Sequence, residues 1–312
     1  MQPIRVTTTF ALCAALALGA AACGEDEAAQ GGGLSGQIRI DGSSTVFPFA
    51  QAAAEQFMAE NPDVEITVGQ SGTGGGFEKF CAGETDVSTA SRPIKEDEEV
   101  PLCQEAGVDY TELQVANDGI AVVSNKDLAI DCLTTAQLEE LWANDEVESY
   151  AEIDPKLPDR EVSLFGPGTD SGTFDFFTGE INGEEGRTRK DYQPSEDDNV
   201  LVQGIGGDEG GLGYFGFSYY EQNADKLNLI GIDAGEGCVE PSLETIQSGE
   251  YEPLARPIFM YPSAEALQRP EVKAFMEHLL ENQRAIAENA QIVPMTDEQT
   301  QEAERALSGG AA

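Results

Sequence analysis

Strand-like and helix-like hydrophobic patterns alternate along the chain. Short apolar or alternating runs predict strands, and these lie at residues 38–40, 64–68, 86–88, 119–123, 162–165, 227–232 and 257–261. Between the strands, apolar side chains three and four positions apart predict helices, such as the face formed by Phe49, Ala53 and Phe57. This alternation is typical of an α/β protein.

Capping signals mark where two of the helices begin. Thr134 with Gln137, and Thr296 with Gln299, have the spacing of a capping box, in which each side chain satisfies a backbone N–H of the first turn. Residues 271–289 are also predicted to be helical, so the chain ends in helices.

Three loops between a strand and a helix share one composition. They are GSSTV (42–46), GQSGTGGG (69–76) and GTDSGT (168–173). The start of a helix offers unpaired N–H donors and a positive dipole, and glycine allows close approach, so such loops suit oxyanions. Ser and Thr are also ordinary N-caps, and one loop alone would be read as a cap. Three loops at strand ends favour a shared anion site.

A fourth loop adds a positive charge. Arg92 follows a predicted strand and is one of only 17 basic residues. A guanidinium can grip a tetrahedral oxyanion through two parallel hydrogen bonds. The alternative is a surface arginine paired with one of the many carboxylates.

Four segments together resemble a known family. In chain order they are GSSTVFPF (42–49), SGTGGGFEKF (71–80), DVSTASRPI (86–94) and GTDSGTFDFF (168–177). They are similar to the phosphate-binding proteins of the phosphate ABC importer, the PstS family, and GIGGDEGGLGYFGFSYY (204–220) extends the likeness. The resemblance covers the chain from about residue 37 onward.

The resemblance implies a periplasmic-binding-protein fold of type II, with two α/β lobes joined by a two-strand hinge. Lobe 1 would comprise residues 37–115 and 246–312, and lobe 2 residues 116–245. The chain is expected to cross between the lobes near 115–117 and again within 238–256. The anion would be buried between the lobes.

The resemblance also implies a set of binding residues, from three loops of lobe 1 and one of lobe 2. They are Ser44, Thr45, Val46, Ser71, Ser91, Arg92, Ser171, Gly172 and Thr173. Well-known family members carry an arginine and an aspartate just before the SGT triplet, as RxDGSGT, and that arginine is missing here. A carboxylate that accepts the phosphate proton would exclude sulfate. The candidates are Asp41, Asp118 and Asp170, of which Asp170 is preferred.

The implied function is high-affinity binding of inorganic phosphate outside the cytoplasm, for delivery to the permease subunits of an ABC-type importer. We expect a monomer without cofactor or metal. Another oxyanion, such as molybdate, tungstate or sulfate, is the alternative ligand. An adhesion or sensor protein that kept the fold is a third possibility.

An enzyme is the competing class, because the serine-rich loops superficially suggest a nucleophile. The nucleophile elbow G-x-S-x-G fails at Thr73, and the one histidine, His278, lies on a predicted tail helix. The P-loop motif GxxxxGK[ST] is absent from the sequence. These observations argue against a hydrolase.

Charge excludes other partners. The formal net charge is -41, which argues against nucleic acid and against an anionic lipid surface. It does not forbid a small anion, because surface charges beyond about 8 Å are largely screened at physiological salt. Recognition inside a cleft would rest on local dipoles and hydrogen bonds.

The N-terminal segment predicts export. Residues 1–22 contain a short apolar run of the signal-peptide type, too short to span a membrane. Small residues before Cys23 resemble a lipoprotein cleavage site, with an ordinary signal peptidase site as the alternative. Residues 23–36 are polar and Gly-rich, which predicts a flexible tether. The protein would be lipid-anchored to the outer face of the cytoplasmic membrane.

Four cysteines remain after Cys13 leaves with the signal peptide and Cys23 takes the lipid. An even number in an exported chain suggests two disulfides, with three possible pairings. We favour one bond in each lobe, which pairs Cys81 with Cys103 and Cys132 with Cys238.

Overall fold

The computed structural model describes residues 33–169 and 171–309. The predicted signal peptide, Cys23 and all but the last four residues of the predicted tether lie outside these ranges, as does Asp170. The first strand begins at Gly36. Within the described ranges, no helix is long and apolar enough to cross a membrane.

The strands and helices alternate as the hydrophobic pattern predicts. The strands are β1 (Gly36–Gly42), β2 (Val64–Val68), β3 (Val87–Ala90), β4 (Leu113–Ser124), β5 (Cys132–Thr134), β6 (Ser163–Gly166), β7 (Gln193–Pro194), β8 (Gly211–Gly216), β9 (Asn228–Asp233), β10 (Cys238–Val239) and β11 (Ala255–Pro262). The helices are α1 (Phe47–Glu60), α2 (Gly72–Cys81), α3 (Glu99–Ala106), α4 (Thr135–Ala143), α5 (Tyr150–Ile153), α6 (Gly172–Asn182), α7 (Asp198–Gly207), α8 (Phe217–Glu221), α9 (Leu243–Gln247), α10 (Pro270–Glu281), α11 (Gln283–Asn289) and α12 (Asp297–Leu307).

Both predicted capping boxes form, at the starts of α4 and α12. The predicted tail helix over 271–289 is instead two helices, α10 and α11, which meet at Asn282. The Asn282 side chain donates to the carbonyl of His278 at 2.8 Å, so it takes up a carbonyl at the end of α10. The apolar pattern continues through residues 271–289, but the capping side chain of Asn282 ends the first helix there.

One long curled sheet carries the fold. Its main path runs in the order β2-β1-β3-β11-β4-β8-β6-β7, and β9 joins β4 to β5 and β10. The first half of β4 pairs antiparallel with β11, and its second half pairs antiparallel with β8 and β9. Strand β4 therefore lies in the middle of the strand order and joins the two halves of the sheet.

Three apolar cores pack against this sheet. Lobe 1 contains two of them, one with Ile38 and Phe275 and a smaller one with Phe77 and Tyr261, and lobe 2 contains the third, with Trp142. Strands β4 and β11 connect the two lobes. The predicted two-lobed α/β fold with a two-strand hinge is confirmed.

The lobe boundaries at 115/116 and 245/246 stay predictions. Ile246, Tyr251 and Leu254 pack in the core of lobe 2, although the predicted boundary assigns them to lobe 1. Their packing favours a return crossing at β11, after residue 254.

Each lobe contains one disulfide bond. Cys81–Cys103 joins α2 to α3, and Cys132–Cys238 joins β5 to β10 on either side of β9. These are the pairings favoured on the sequence.

The two bonds close loops of very different length, with sequence separations of 22 and 106 residues. A longer closed loop removes more entropy from the unfolded chain. We expect the double variant Cys132→Ser/Cys238→Ser to lose about 5 kcal/mol of unfolding free energy, and Cys81→Ser/Cys103→Ser about 3 kcal/mol. Urea unfolding of both variants measures this order, and a larger loss from the shorter loop would contradict it.

Candidate functional site

A cavity of about 670 Å³ lies between the lobes. The loops that precede α1, contain the start of α2 and follow β3 line one side, and α6 of lobe 2 lines the other. Six predicted binding residues border this cavity, namely Ser44, Thr45, Ser71, Ser91, Arg92 and Gly172. The cavity therefore brings together loops that are far apart in the chain.

A second cavity of about 290 Å³ adjoins the first, and the two share Ser44, Thr45 and Gly172. It is bordered by Ser171 and Thr173, so the predicted residues of lobe 2 divide between the two cavities. Asp118, one of the candidate proton acceptors, also borders the second cavity. Val46 is fully buried in the core of lobe 1 and borders neither.

The two lobes touch where the cavities meet. The Thr45 hydroxyl donates to the carbonyl oxygen of Gly172 at 3.3 Å. A Cβ on Gly172 would lie 2.5 Å from the backbone nitrogen of Thr45, which is closer than real Cβ atoms approach. Glycine at this position is therefore required for the start of α6 to reach the loop before α1.

Asp41 organises the second loop. Its carboxylate accepts hydrogen bonds from the Ser71 backbone N–H at 3.0 Å, from the Ser71 hydroxyl, and from Lys79 Nζ at 2.7 Å. Burial raises the pKa of Asp41, but the hydrogen bonds from Lys79 and Ser71 outweigh it and hold the pKa below its usual value. Asp41 is thus engaged within lobe 1, and so is the hydroxyl of Ser71.

Thr73 is a cavity residue that the sequence reasoning missed. Its hydroxyl oxygen accepts from the backbone N–H of Ser91 at 3.3 Å and lies 3.2 Å from the Ser91 hydroxyl. Both side chains border the larger cavity. Thr73 lies in the first turn of α2, two residues after Ser71. Its position in the same Gly-rich loop is the sequence feature that could have identified it.

Glycines hold the start of α2 against β1. A Cβ on Gly76 would lie 2.5 Å from the Cα of Gly42. Close packing of α2 against β1 therefore requires glycine at position 76, whereas a Cβ on Gly72 or Gly74 would meet no atom within 4 Å.

Arg92 borders the cavity but is paired within lobe 1. Its two terminal nitrogens donate to the carboxylate of Glu99 at 2.9 and 2.7 Å, and Nη1 also donates to the carbonyl of Pro93 at 3.0 Å. The alternative considered on the sequence, pairing with a carboxylate, is thus present, while the guanidinium keeps its place at the cavity wall.

Arg256 on β11 is a second guanidinium at the same cavity, and the sequence reasoning missed it as a site residue. Its Nη2 donates to the Thr45 hydroxyl at 2.7 Å, its Nε donates to Asp118 at 3.3 Å, and its Cζ lies 3.5 Å from the ring centroid of Phe176. Burial lowers the pKa of Arg256, and Asp118 opposes that shift. No local motif marks this arginine, since it lies inside an apolar strand.

The cavity wall is not positive overall. Asp175, Glu180, Glu185 and Glu252 border it together with the two arginines. Burial and the nearby Glu185 raise the pKa of Asp175, although Arg256 works in the opposite direction. Any anion bound here would be held by hydrogen-bond donors at close range, because the net charge of the wall does not attract it.

Metal and nucleophile chemistry find no support at this site. In residues 33–169 and 171–309, no group of three or more His, Cys, Asp and Glu side chains could hold a metal ion. His278 packs edge-on against the ring of Phe57 and lies 3.7 Å from Glu60, on a surface away from the two cavities.

Comparison with known proteins decides the family. A model of the PBP superfamily domain matches residues 27–283. The phosphate-binding protein PstS of Staphylococcus saprophyticus is 39% identical over 298 residues, which is 95% of this chain and 91% of that protein. The chain belongs to the PstS family. Members of this family are solute-binding proteins of ABC transporters, so the prediction that the chain is not an enzyme is confirmed.

Two further relatives are similar to this chain over most of their length. Protein SphX of Synechococcus elongatus is 43% identical over 262 residues, which is 83% of this chain and 77% of that protein. The crystal structure of a possible phosphate binding protein from Planctomyces limnophilus is 43% identical, with a TM-score of 0.84 over 89% of this chain and all of that one. The predicted periplasmic-binding-protein fold of type II is confirmed.

The lowered pKa of Asp41 predicts a pH-dependent stability. A carboxyl group with a lowered pKa in the folded state stabilises the protein above its unfolded pKa of about 3.8, and this stabilisation is lost as the pH falls through the folded pKa. We expect Asp41→Asn to lower the unfolding free energy by about 2 kcal/mol at pH 7 and to flatten its decline below about pH 4.

Urea unfolding at pH 7 and between pH 2 and about 4 measures this effect. The exposed Asp63, on the turn before β2, provides the matched control Asp63→Asn. Equal stabilities of the two variants at pH 7 would refute the role assigned to Asp41.

Proposed function

We propose that this protein binds inorganic phosphate between its lobes with high affinity and delivers it to an ABC-type importer. The observation that carries the proposal is the convergence of three helix starts on the junction of Thr45 and Gly172. Helices α1, α2 and α6 all begin at residues that border the shared cavities or directly follow them. Each offers backbone N–H donors and a positive dipole end to a tetrahedral oxyanion.

The proposed contacts follow the sequence prediction with one omission and one addition. Backbone N–H groups and hydroxyls of Ser44, Thr45, Ser91, Ser171, Gly172 and Thr173 would bind the anion, with Arg92 at the wall. Val46 is left out of the proposed contacts, because it is fully buried and borders neither cavity. We add Thr73, whose hydroxyl already pairs with Ser91 at the cavity. Ser71 borders the same cavity, but its hydroxyl donates to Asp41, so its contribution would come from ordering the loop.

Relatives that are named as phosphate-binding proteins support phosphate as the ligand. One relative at 39% identity is called a phosphate-binding protein. A structure from Clostridium perfringens, 25% identical with a TM-score of 0.58, is described as a putative phosphate ABC transporter substrate-binding protein with bound phosphate. Binding of molybdate, tungstate or sulfate is the competing proposal, because N–H donors alone would accept any of these oxyanions.

A carboxylate at the cavity would decide between phosphate and sulfate. Asp118 and Asp175 border the cavities and suit this role, since a carboxylate accepts a hydrogen bond from the O–H group of phosphate and repels sulfate, which has no such group. Asp41 is less suited, because Lys79 and Ser71 already engage it. Asp170, the candidate preferred on the sequence, lies outside the described residues. We propose it for the same role.

The proposed location is the outer face of the cytoplasmic membrane. The segment 1–22 would direct export, and a lipid on Cys23 would anchor the protein beside the permease subunits. We propose that the protein acts as a monomer.

Calorimetry with phosphate and sulfate tests the proposal. We expect tight binding of phosphate and much weaker binding of sulfate. The variant Thr45→Val removes the hydroxyl at the lobe junction and should weaken phosphate binding by at least about 10-fold. The control Thr67→Val changes an exposed threonine on β2 and should bind as the wild type does. Equal affinities for the two anions would remove phosphate selectivity.

The proposed mode of recognition also predicts weak salt dependence. Donors inside a closed cleft are screened less than surface charges, so the phosphate affinity should change by less than about threefold between 50 and about 500 mM sodium chloride. A steep decrease would show that long-range attraction drives binding.

A further inference from the structure

We infer that Arg256 is a phosphate-contacting residue and supplies the main positive charge of the site. The inference rests on the proposed function and assigns its cation to a residue outside every motif of the binding loops. Arg256 lies on β11, a strand that connects the lobes, whereas the other proposed contacts lie in loops at strand ends.

The loop before α6 brings no arginine to the site, because residues 167–173 contain none. A guanidinium at the site would therefore come from another part of the chain. Two guanidiniums border the larger cavity, those of Arg92 and Arg256. Their hydrogen bonds distinguish them.

The guanidinium of Arg92 is paired end-on with the carboxylate of Glu99. Both terminal nitrogens bind Glu99, and one also binds a backbone carbonyl, which uses three of the five N–H donors. The ion pair with Glu99 is bidentate, the geometry in which a guanidinium is best satisfied. The end-on pair of N–H groups is therefore used, and Arg92 keeps only two donors, Nε–H and the second N–H of Nη2, on its side.

Arg256 keeps more of its donors. Among the described residues, it donates through Nε to Asp118 and through Nη2 to Thr45, which uses two of the five N–H groups. The contact with Asp118 is a single bond of 3.3 Å, so no bidentate partner occupies the terminal nitrogens. Three N–H donors remain at the cavity wall beside Thr45.

The surroundings fix the guanidinium in place. Asp118 on β4 holds Nε, and the ring of Phe176 on α6 lies against the guanidinium face at 3.5 Å. The side chain is only 16% exposed, compared with 34% for Arg92. A buried cation beside the start of helices acts at a lower effective dielectric than an exposed one, so its attraction for an anion is stronger. Arg256 also contacts both lobes, through Thr45 and Phe176.

Calorimetry of three variants tests the inference. We expect Arg256→Gln to weaken phosphate binding by at least about 10-fold, since a charged hydrogen bond is lost, and Arg92→Gln to weaken it less. Arg160→Gln is the matched control, because Arg160 forms an exposed ion pair with Glu209. Thermal unfolding of each variant verifies that it is folded.

A measurement on the wild type covers the case in which Arg256→Gln does not fold. In nitrogen-15 NMR spectra, with the signal assigned from Arg256→Lys, the Nε–H resonance of Arg256 should shift on addition of phosphate and that of Arg160 should not. An unshifted Arg256 resonance, or folded Arg256→Gln that binds within about twofold of wild type, overturns the inference while the proposed function stands. Absence of phosphate binding by the wild type would instead remove the proposed function.

Discussion

The contact between Thr45 and Gly172 is the constraint on which the site depends. It joins the loop before α1 to the start of α6, so one hydroxyl and one glycine bring together two lobes with separate cores. The absence of a Cβ at Gly172 makes the approach possible, and the hydrogen bond gives it direction. The two cavities that adjoin this contact are bordered by the loops that carry the site.

The frame behind this contact is built from polar groups that are already paired with one another. Asp41 at the end of β1 is bound by Lys79 and by Ser71, and this holds the second loop beside the first. Thr73 and Ser91 tie the second loop to the third. Hydrogen bonds to a charged acceptor contribute more than neutral ones, so Asp41 gives the loop a firm anchor. The donors at the cavity are therefore positioned before any ligand binds.

The cavity wall carries several carboxylates, in a protein that is itself strongly acidic. Asp175, Glu180 and Glu185 lie at the same cavity as Arg92 and Arg256. Helix starts act over the first turn only, and surface charges are screened by salt. An anion in this cavity would therefore depend on donors that converge at short distance, and the net charge of -41 would contribute little to its binding.

The sequence by itself determined the alternation of strands and helices, the two capping boxes and the loops that meet at the lobe junction. These features depend on local periodicity and on residues close together in the chain, so they are visible without the fold. Only the tertiary structure showed that the Ser71 hydroxyl belongs to Asp41, that Thr73 lies at the cavity, and that the tail helix divides at Asn282. It alone placed Arg256 beside Thr45, 211 positions away in the chain. Such a pairing is fixed by the packing of β11 beside the loop before α1, and no window of sequence contains both partners.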